Sequence, residues 1–292
     1  MGFGFKYHVV TVAAIFFALT VGLVVGSLLV SPRVADRQQH AIQSLTDRLN
    51  EDLNRKVLEE EQNDKALAAL TPVAIKGRLA NQRIAIVQTG EYPETTNLIH
   101  DALNQAGAQV VSVTAIGQDM DRADEVLLPA LIASNANSPG FPTSRATLAS
   151  AIAGLISRGD IGPSPMQAML EREGYIHPDP GVDFRIIPKY VVLSAGTRSE
   201  ASDRISNVDQ PLVVALQKLG ITVLMCEQID CHISDVPAYR RFSPGITTID
   251  DIDNPKGRAA LIFSMGGETG NYGVKPSATN LLPPELSKFD PR

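Results

Sequence analysis

The chain has 292 residues, a net charge of −6, two cysteines and no tryptophan. Its Lys and Arg residues are dispersed and do not alternate with aromatics, which argues against a nucleic-acid surface, and the missing Trp argues against a carbohydrate-stacking one. Two cysteines without CxxC spacing are too few for a disulfide scaffold or a zinc ribbon.

The first element in the chain is the run Val9 to Val30, VVTVAAIFFALTVGLVVGSLLV, which carries no charge. As a helix it spans about 33 Å, slightly more than the roughly 30 Å apolar core of a bilayer. A signal peptide would have a shorter apolar run and a small-residue cleavage site, whereas SPRVADRQQ follows here with Arg33 and Arg37. The segment therefore reads as an uncleaved single-pass membrane anchor. Lys6 and the amino terminus stand against Arg33, Arg37 and Arg48 in the charge vote on orientation. A short tail before an anchor favours a cytosolic amino terminus and an extracytoplasmic body. Ala14, Ala18, Gly22 and Gly26 line one face with small residues, a pattern that lets two membrane helices approach closely.

From Val34 to about Leu70 the sequence is polar and free of Gly and Pro, which predicts a helix of about 55 Å. Ile42, Leu45, Leu49, Leu53 and Val57 form a seam of coiled-coil type with one stutter. Glu51 with Arg55, Asp52 with Lys56 and Glu61 with Lys65 are acid-before-base pairs on its surface. A parallel homodimer through anchor and stalk is the expected assembly. Pro72 is expected to end the helix.

Beyond it, Arg83 to Gln88 reads as a strand, Pro93 to Gln105 as a helix and Gln109 to Thr114 as a second strand. Helices are expected over Thr143 to Arg158 and Pro165 to Arg172, with Thr143 and Ser164 as caps. The intervening GDIGPSP and GYIHPDPGVDF read as loops. Tyr190 to Ser194 and Ile221 to Glu227 are strands flanking a Pro211 to Leu219 helix, and Asn254 caps a helix that ends near Met265. The fold class is therefore α/β, with residues 1–31 a tail and anchor, 32–71 a coiled-coil stalk and 72–292 a Rossmann-like parallel-sheet domain.

The motifs of catalysis fail one by one. The first strand-to-helix turn, TGEYPE, has only Gly90 and lacks the GxGxxG phosphate turn. In GGETGNYGVKPS the Gly-to-Lys spacing does not fit a P-loop, and Pro276 blocks the helix that should follow. Ser264 in IFSMG lacks the first glycine of a nucleophile elbow. The acidic IDDID run can gather a hard cation, but a loop leading into the Asn254 cap explains it more cheaply. A non-enzyme is expected. Met225, Cys226, Cys231 and His232 supply thioether, thiolate and imidazole, the donors that suit Cu(I). A structural cysteine pair or a disulfide outweighs that reading, because Met225 and Cys226 are adjacent on a strand and point to opposite faces. His8, His40, His100 and His177 are scattered.

The block TTIDDIDNPKGRAALIFSMGGETGNYGVKPSATNLLP resembles the closing signature of the MctB family of copper transport proteins. The matching residues are Asp250, Asp251, Asp253, Pro255, Gly257, Arg258, Tyr272, Gly273, Leu281, Leu282 and Pro283. The resemblance implies copper transport or copper homeostasis at the cell envelope, with copper the one cofactor it raises. It also implies an interaction surface around Asp250, Asp251, Asp253, Arg258 and Tyr272. The resemblance also implies an outer-membrane pore, yet a pore barrel needs many alternating strands of about ten residues, and this sequence offers one apolar helix and an α/β body. The alternative is a non-catalytic envelope scaffold that positions a protein partner in septal cell-wall assembly.

Overall fold

A computed structural model describes residues 3–29, 32–117, 120, 144–158, 165–181, 184–198, 203–267 and 269–287. The chain divides into two compact units, Met1–Asn63 and Asp64–Arg292. The expected caps Thr143 and Ser164 lie outside the described residues.

The first unit is helical. Helix α1 covers Phe3–Leu29, and within it Tyr7–Gly26 is long and apolar enough to cross a membrane. Thr11 and Thr20 donate their hydroxyls to the carbonyls of Tyr7 and Phe16 one turn back, so these two hydroxyls are satisfied within the helix. Helix α2 covers Pro32–Ile75. Pro72 does not end it, contrary to the sequence expectation. A proline removes one amide bond but has a helical φ of its own. Thr71 and Ile75, on either side of it, are buried, so packing outweighs the lost bond. Of the expected surface pairs, Arg55 engages Asp52 at 2.7 Å rather than Glu51.

The second unit is built on one sheet with strands β1 (Arg83–Gln88), β2 (Gln109–Ile116), β3 (Ile176–Pro178), β4 (Tyr190–Ser194), β5 (Thr222–Cys226), β6 (Thr247–Ile249) and β7 (Asn271–Tyr272). Their order is β3-β2-β1-β4-β5-β6-β7, with every pair parallel except β2 with β3. Among the described residues its helices are α3 (Pro93–Gln105), α4 (Arg145–Arg158), α5 (Pro165–Arg172), α6 (Gln210–Lys218), α7 (Val236–Phe242), α8 (Pro255–Ser264) and α9 (Pro284–Ser287), and a π-helical turn, Ile205–Asp209, leads into α6.

Alternation along the strands divides the core into two layers. Ala85, Val87, Val191, Leu193, Val223 and Met225 face one way, onto α4, α5, α6 and α7. Ile84, Ile86, Val192, Leu224 and Cys226 face the other way, onto α3, α8 and the end of α2. Three sequence expectations change here. GYIHPDPGVDF contains the edge strand β3, and TTI before the acidic run is β6. The helix expected from Pro211 is preceded by the π turn. Asn254 caps α8 as expected, its side chain accepting the Lys256 amide at 3.0 Å.

Candidate functional site

From β1 the chain moves to β2 on one side of it and later returns to β4 on the other, so the topological switch point lies between β1 and β4. In open α/β sheets, ligands bind outside the carboxyl ends of the strands at such a point. Here the crevice is closed by the chain itself. The amides of Thr89 and Gly90 donate to Ser194 O at 3.0 and 2.8 Å, and that of Glu91 donates to Gly196 O at 3.0 Å. These amides occupy the place where a nucleotide fold presents its donors to phosphate. Gly90 is required for the closure, because a Cβ on it would lie 2.4 Å from the Ala195 carbonyl carbon.

Behind the closed crevice lies a buried ionic network. Arg204, just before the π turn, donates to Asp209 at 2.7 Å, to Thr89 Oγ1 at 3.0 Å, to Thr197 Oγ1 at 2.8 Å and to Asp235. Asp235 also accepts the Gly196 amide at 2.7 Å and the Thr197 hydroxyl at 2.8 Å. Burial lowers the guanidinium's pKa, but Asp209 and Asp235 outweigh it and raise the pKa above its usual range. Asp209 is pushed up to about 6 by burial, against the pull of Arg204 and with help from the Asp235 charge. Arg204 therefore ties the loops after β1 and β4 to the start of α7.

A second cluster sits at the carboxyl ends of β5 and β6. Lys275 Nζ donates to Glu227 Oε1 at 2.7 Å, to Gln228 O at 2.7 Å and to Cys231 Sγ at 2.9 Å. Glu227, fully buried, also accepts the Ser234 hydroxyl and the Asp235 amide, which links the two clusters. Burial raises the Glu227 pKa, and Glu227 in turn raises that of Lys275 against the effect of its burial.

The soft donors expected from the sequence are not brought together. Met225 and Cys226 point into opposite core layers, and both are fully buried. Cys226 and Cys231 are free thiols. Burial raises Cys226 well above the usual thiol range and pushes Cys231, which is half-buried, up to about 11. The His232 side chain is exposed, and its backbone amide donates to the Tyr92 hydroxyl at 2.9 Å. Among the described residues, no three His, Cys, Asp or Glu side chains converge as a metal-binding group.

The signature residues are largely interior. Asp250, Asp251 and Tyr272 are buried, and Gly273 reaches a φ of 138° against Asp250. Asp253 accepts the Ile229 amide at 2.9 Å, and Arg258 donates to Asp253 O at 2.9 Å. The signature thus folds the loops that fasten the carboxyl edge of the sheet, with Leu282 packed on the second core layer. The model of the MctB family, described as copper transport outer membrane protein, matches residues 3–283, from the apolar helix through Pro283.

The chain belongs to the MctB family.

No individual curated protein matches the sequence significantly. Membership of the MctB family makes this a copper-transport-related envelope protein, and among the described residues one N-terminal helix is long and apolar enough to cross a membrane. Sequence reasoning missed Arg204, Asp209, Asp235, Glu227 and Lys275. Their partners lie up to 115 residues away, as Thr89 does from Arg204, and no local spacing announces them.

Proposed function

We propose that this protein handles copper at the cell envelope as a membrane-anchored, non-catalytic member of the MctB family, with Cys231 as the side chain through which it contacts Cu(I). The observation that carries this reading is the unequal setting of the two thiols. Cys226 is sealed in the apolar core, whereas Cys231 is half-buried at the carboxyl edge of the sheet. The Lys275 ammonium, 2.9 Å from Cys231 Sγ, must move aside before a cation can take its place. Cu(I) contact at Cys231 is accordingly weak and exchangeable, which suits passing an ion on rather than storing it. The non-catalytic part of the reading is supported by the switch-point crevice, whose amides are spent on the protein's own carbonyls. The open sheet, covered by helices on both faces, supports hand-off to a partner rather than conduction.

The test is Cu(I) competition against a chromogenic chelator, using the reduced full chain in detergent. The wild type and Cys226→Ser should hold Cu(I) equally, and Cys231→Ser should lose at least about tenfold in affinity, the worth of one good metal ligand or its support. Tight stoichiometric binding that survives loss of both cysteines would place the metal elsewhere. A wild type that takes no Cu(I) would favour the scaffold that positions a protein partner in wall assembly.

A second element of the proposal is a parallel homodimer with the α/β body outside the cytoplasm. It is supported by Ile42, Leu45 and Leu49 on α2, which are 64%, 64% and 60% exposed in the single chain. Gly22 and Gly26 on α1 also have open space where a side chain would be.

A further inference from the structure

Two loops at the carboxyl edge of the sheet bring a thiol and an amine together from 44 residues apart, with Lys275 Nζ at 2.9 Å from Cys231 Sγ. Both partners are held from behind. The backbone amides of Val274 and Lys275 donate to Asp250 Oδ1 at 2.8 and 3.2 Å, and Nζ donates to Glu227 Oε1 and Gln228 O, each at 2.7 Å. The Cys231 loop is fastened by reciprocal backbone bonds between Thr197 and Ile233, at 3.3 and 3.0 Å, and by the His232 amide on the Tyr92 hydroxyl. A Cβ on Gly196 would lie 3.3 Å from Cys231 Cβ, so backbone stands close against the cysteine.

Exposure gives each member a different part. Cys231 is half-buried and open to a small oxidant, the Lys275 side chain is 13% exposed, and Glu227 is 0% exposed. Cys226, the other thiol of the chain, is sealed in the second core layer. An oxidised sulfur at Cys231 therefore meets the Lys275 amine before it meets a thiol.

We propose that Cys231 and Lys275 form a peroxide-driven crosslinking site, in which oxidation of the thiol joins the two side chains through a sulfenamide bond. In the first step hydrogen peroxide takes two electrons from the sulfur and transfers one oxygen to it, giving Cys231 sulfenic acid and water. In the second step Glu227 Oε1 takes one proton from the Lys275 ammonium, which frees the nitrogen lone pair. Nζ then attacks the sulfur, the S–O bond breaks as the N–S bond forms, and the leaving hydroxyl departs as water with a second amine proton. A sulfenic acid closes in the same way on a backbone nitrogen.

The charges balance in place. Loss of the ammonium would strand the buried Glu227 anion, but the proton it receives neutralises it, and burial already raises its pKa in that direction. Burial also keeps the Cys231 thiol protonated at neutral pH, with its pKa at about 11. Oxidation is therefore the slow step, and condensation between groups already in contact follows quickly. The bond ties the loop after β5 to the 273–275 strap and, while it stands, withdraws the thiol from Cu(I). It needs no copper, so it forms equally in a chain that binds none.

The full chain in detergent, treated with hydrogen peroxide in the presence of dimedone, a trap for sulfenic acids, tests the site when its proteolytic fragments are weighed. In the wild type the fragments carrying Cys231 and Lys275 should be joined, with a mass two hydrogens below their sum, and a thiol reductant should separate them. Lys275→Arg keeps the charge but offers no nucleophilic amine. It should leave the fragments apart and raise dimedone labelling of Cys231 at least about tenfold over the wild type. Equal labelling of the two chains, a loss of two hydrogens confined to Cys226 and Cys231, or a joined product that retains an oxygen atom would each overturn the proposal. Should Lys275→Arg not fold, the wild-type fragments alone decide, and finding them unjoined overturns it.

Discussion

Two ion pairs of equal length lie in the two units of this protein. On α2, Arg55 meets Asp52 at 2.7 Å with the two side chains 65% and 58% exposed. In the α/β unit, Arg204 meets Asp209 at 2.7 Å with exposures of 10% and 0%. Distance alone makes them the same interaction. Solvent separates them, because water screens the first almost completely, while the second has already given up its hydration and depends on its partners. The first decorates a helix, and the second fixes which loops meet at the carboxyl edge of the sheet.

The largest effect should follow from breaking the buried pair. Arg204→Met removes the cation and leaves Asp209 and Asp235 facing each other, at a cost of about 3–5 kcal/mol in denaturant unfolding at neutral pH. Much of that cost is the stranded charge, so adding Asp209→Asn and Asp235→Asn to the same chain should recover a large part of it. If Arg204→Met unfolds within about 1 kcal/mol of the wild type, the network is decoration as well, and the contrast with α2 disappears.

An intermediate effect belongs to the apolar stripe of α2. If two copies pair in parallel, Leu45→Cys should crosslink to itself in membranes, and Leu45→Ala should weaken the assembly by roughly 2 kcal/mol per chain, the value of one buried leucine. Absent crosslinking at Leu45, alongside crosslinking at control positions, would show that the stripe faces something other than its own copy.

What could be read in advance follows the same division between local and distant causes. Strands β1 and β4 and helices α3 and α5 have the bounds that periodicity and flanking Pro or Gly suggest, because each is long enough for its own pattern to define it. β3, β6 and β7 are two or three residues long and exist through their ladder partners, as Ile249 does opposite Cys226 and Tyr272. No period can be seen in so few residues. Asn254 is legible as a cap because its partner, Lys256, is two residues away. Arg204 is not, since Asp235 is 31 residues away and Thr89 is 115. The aspartates of the signature were visible as a group. Only their partners, 24 residues away along the chain, separate Asp250 and Asp253, which accept backbone amides, from Asp251, which has no donor.

The smallest effect is expected from Asp52→Asn on α2. An exposed pair at this helical spacing contributes about 0.2–0.5 kcal/mol, and even that is screened when the Debye length shrinks to about 3 Å near 1 M salt. Thermal melting followed by circular dichroism should therefore show a small loss at low salt and none at high salt. The value of the experiment lies in its coupling to the stripe, because an apolar seam that pairs with a second helix also removes water from the residues beside it. A loss above about 1 kcal/mol that persists in high salt would mean that Asp52 and Arg55 are desolvated in the assembled protein. The pair on α2 would then resemble the one at Arg204, and the surface taken as open in the single chain would be an interface.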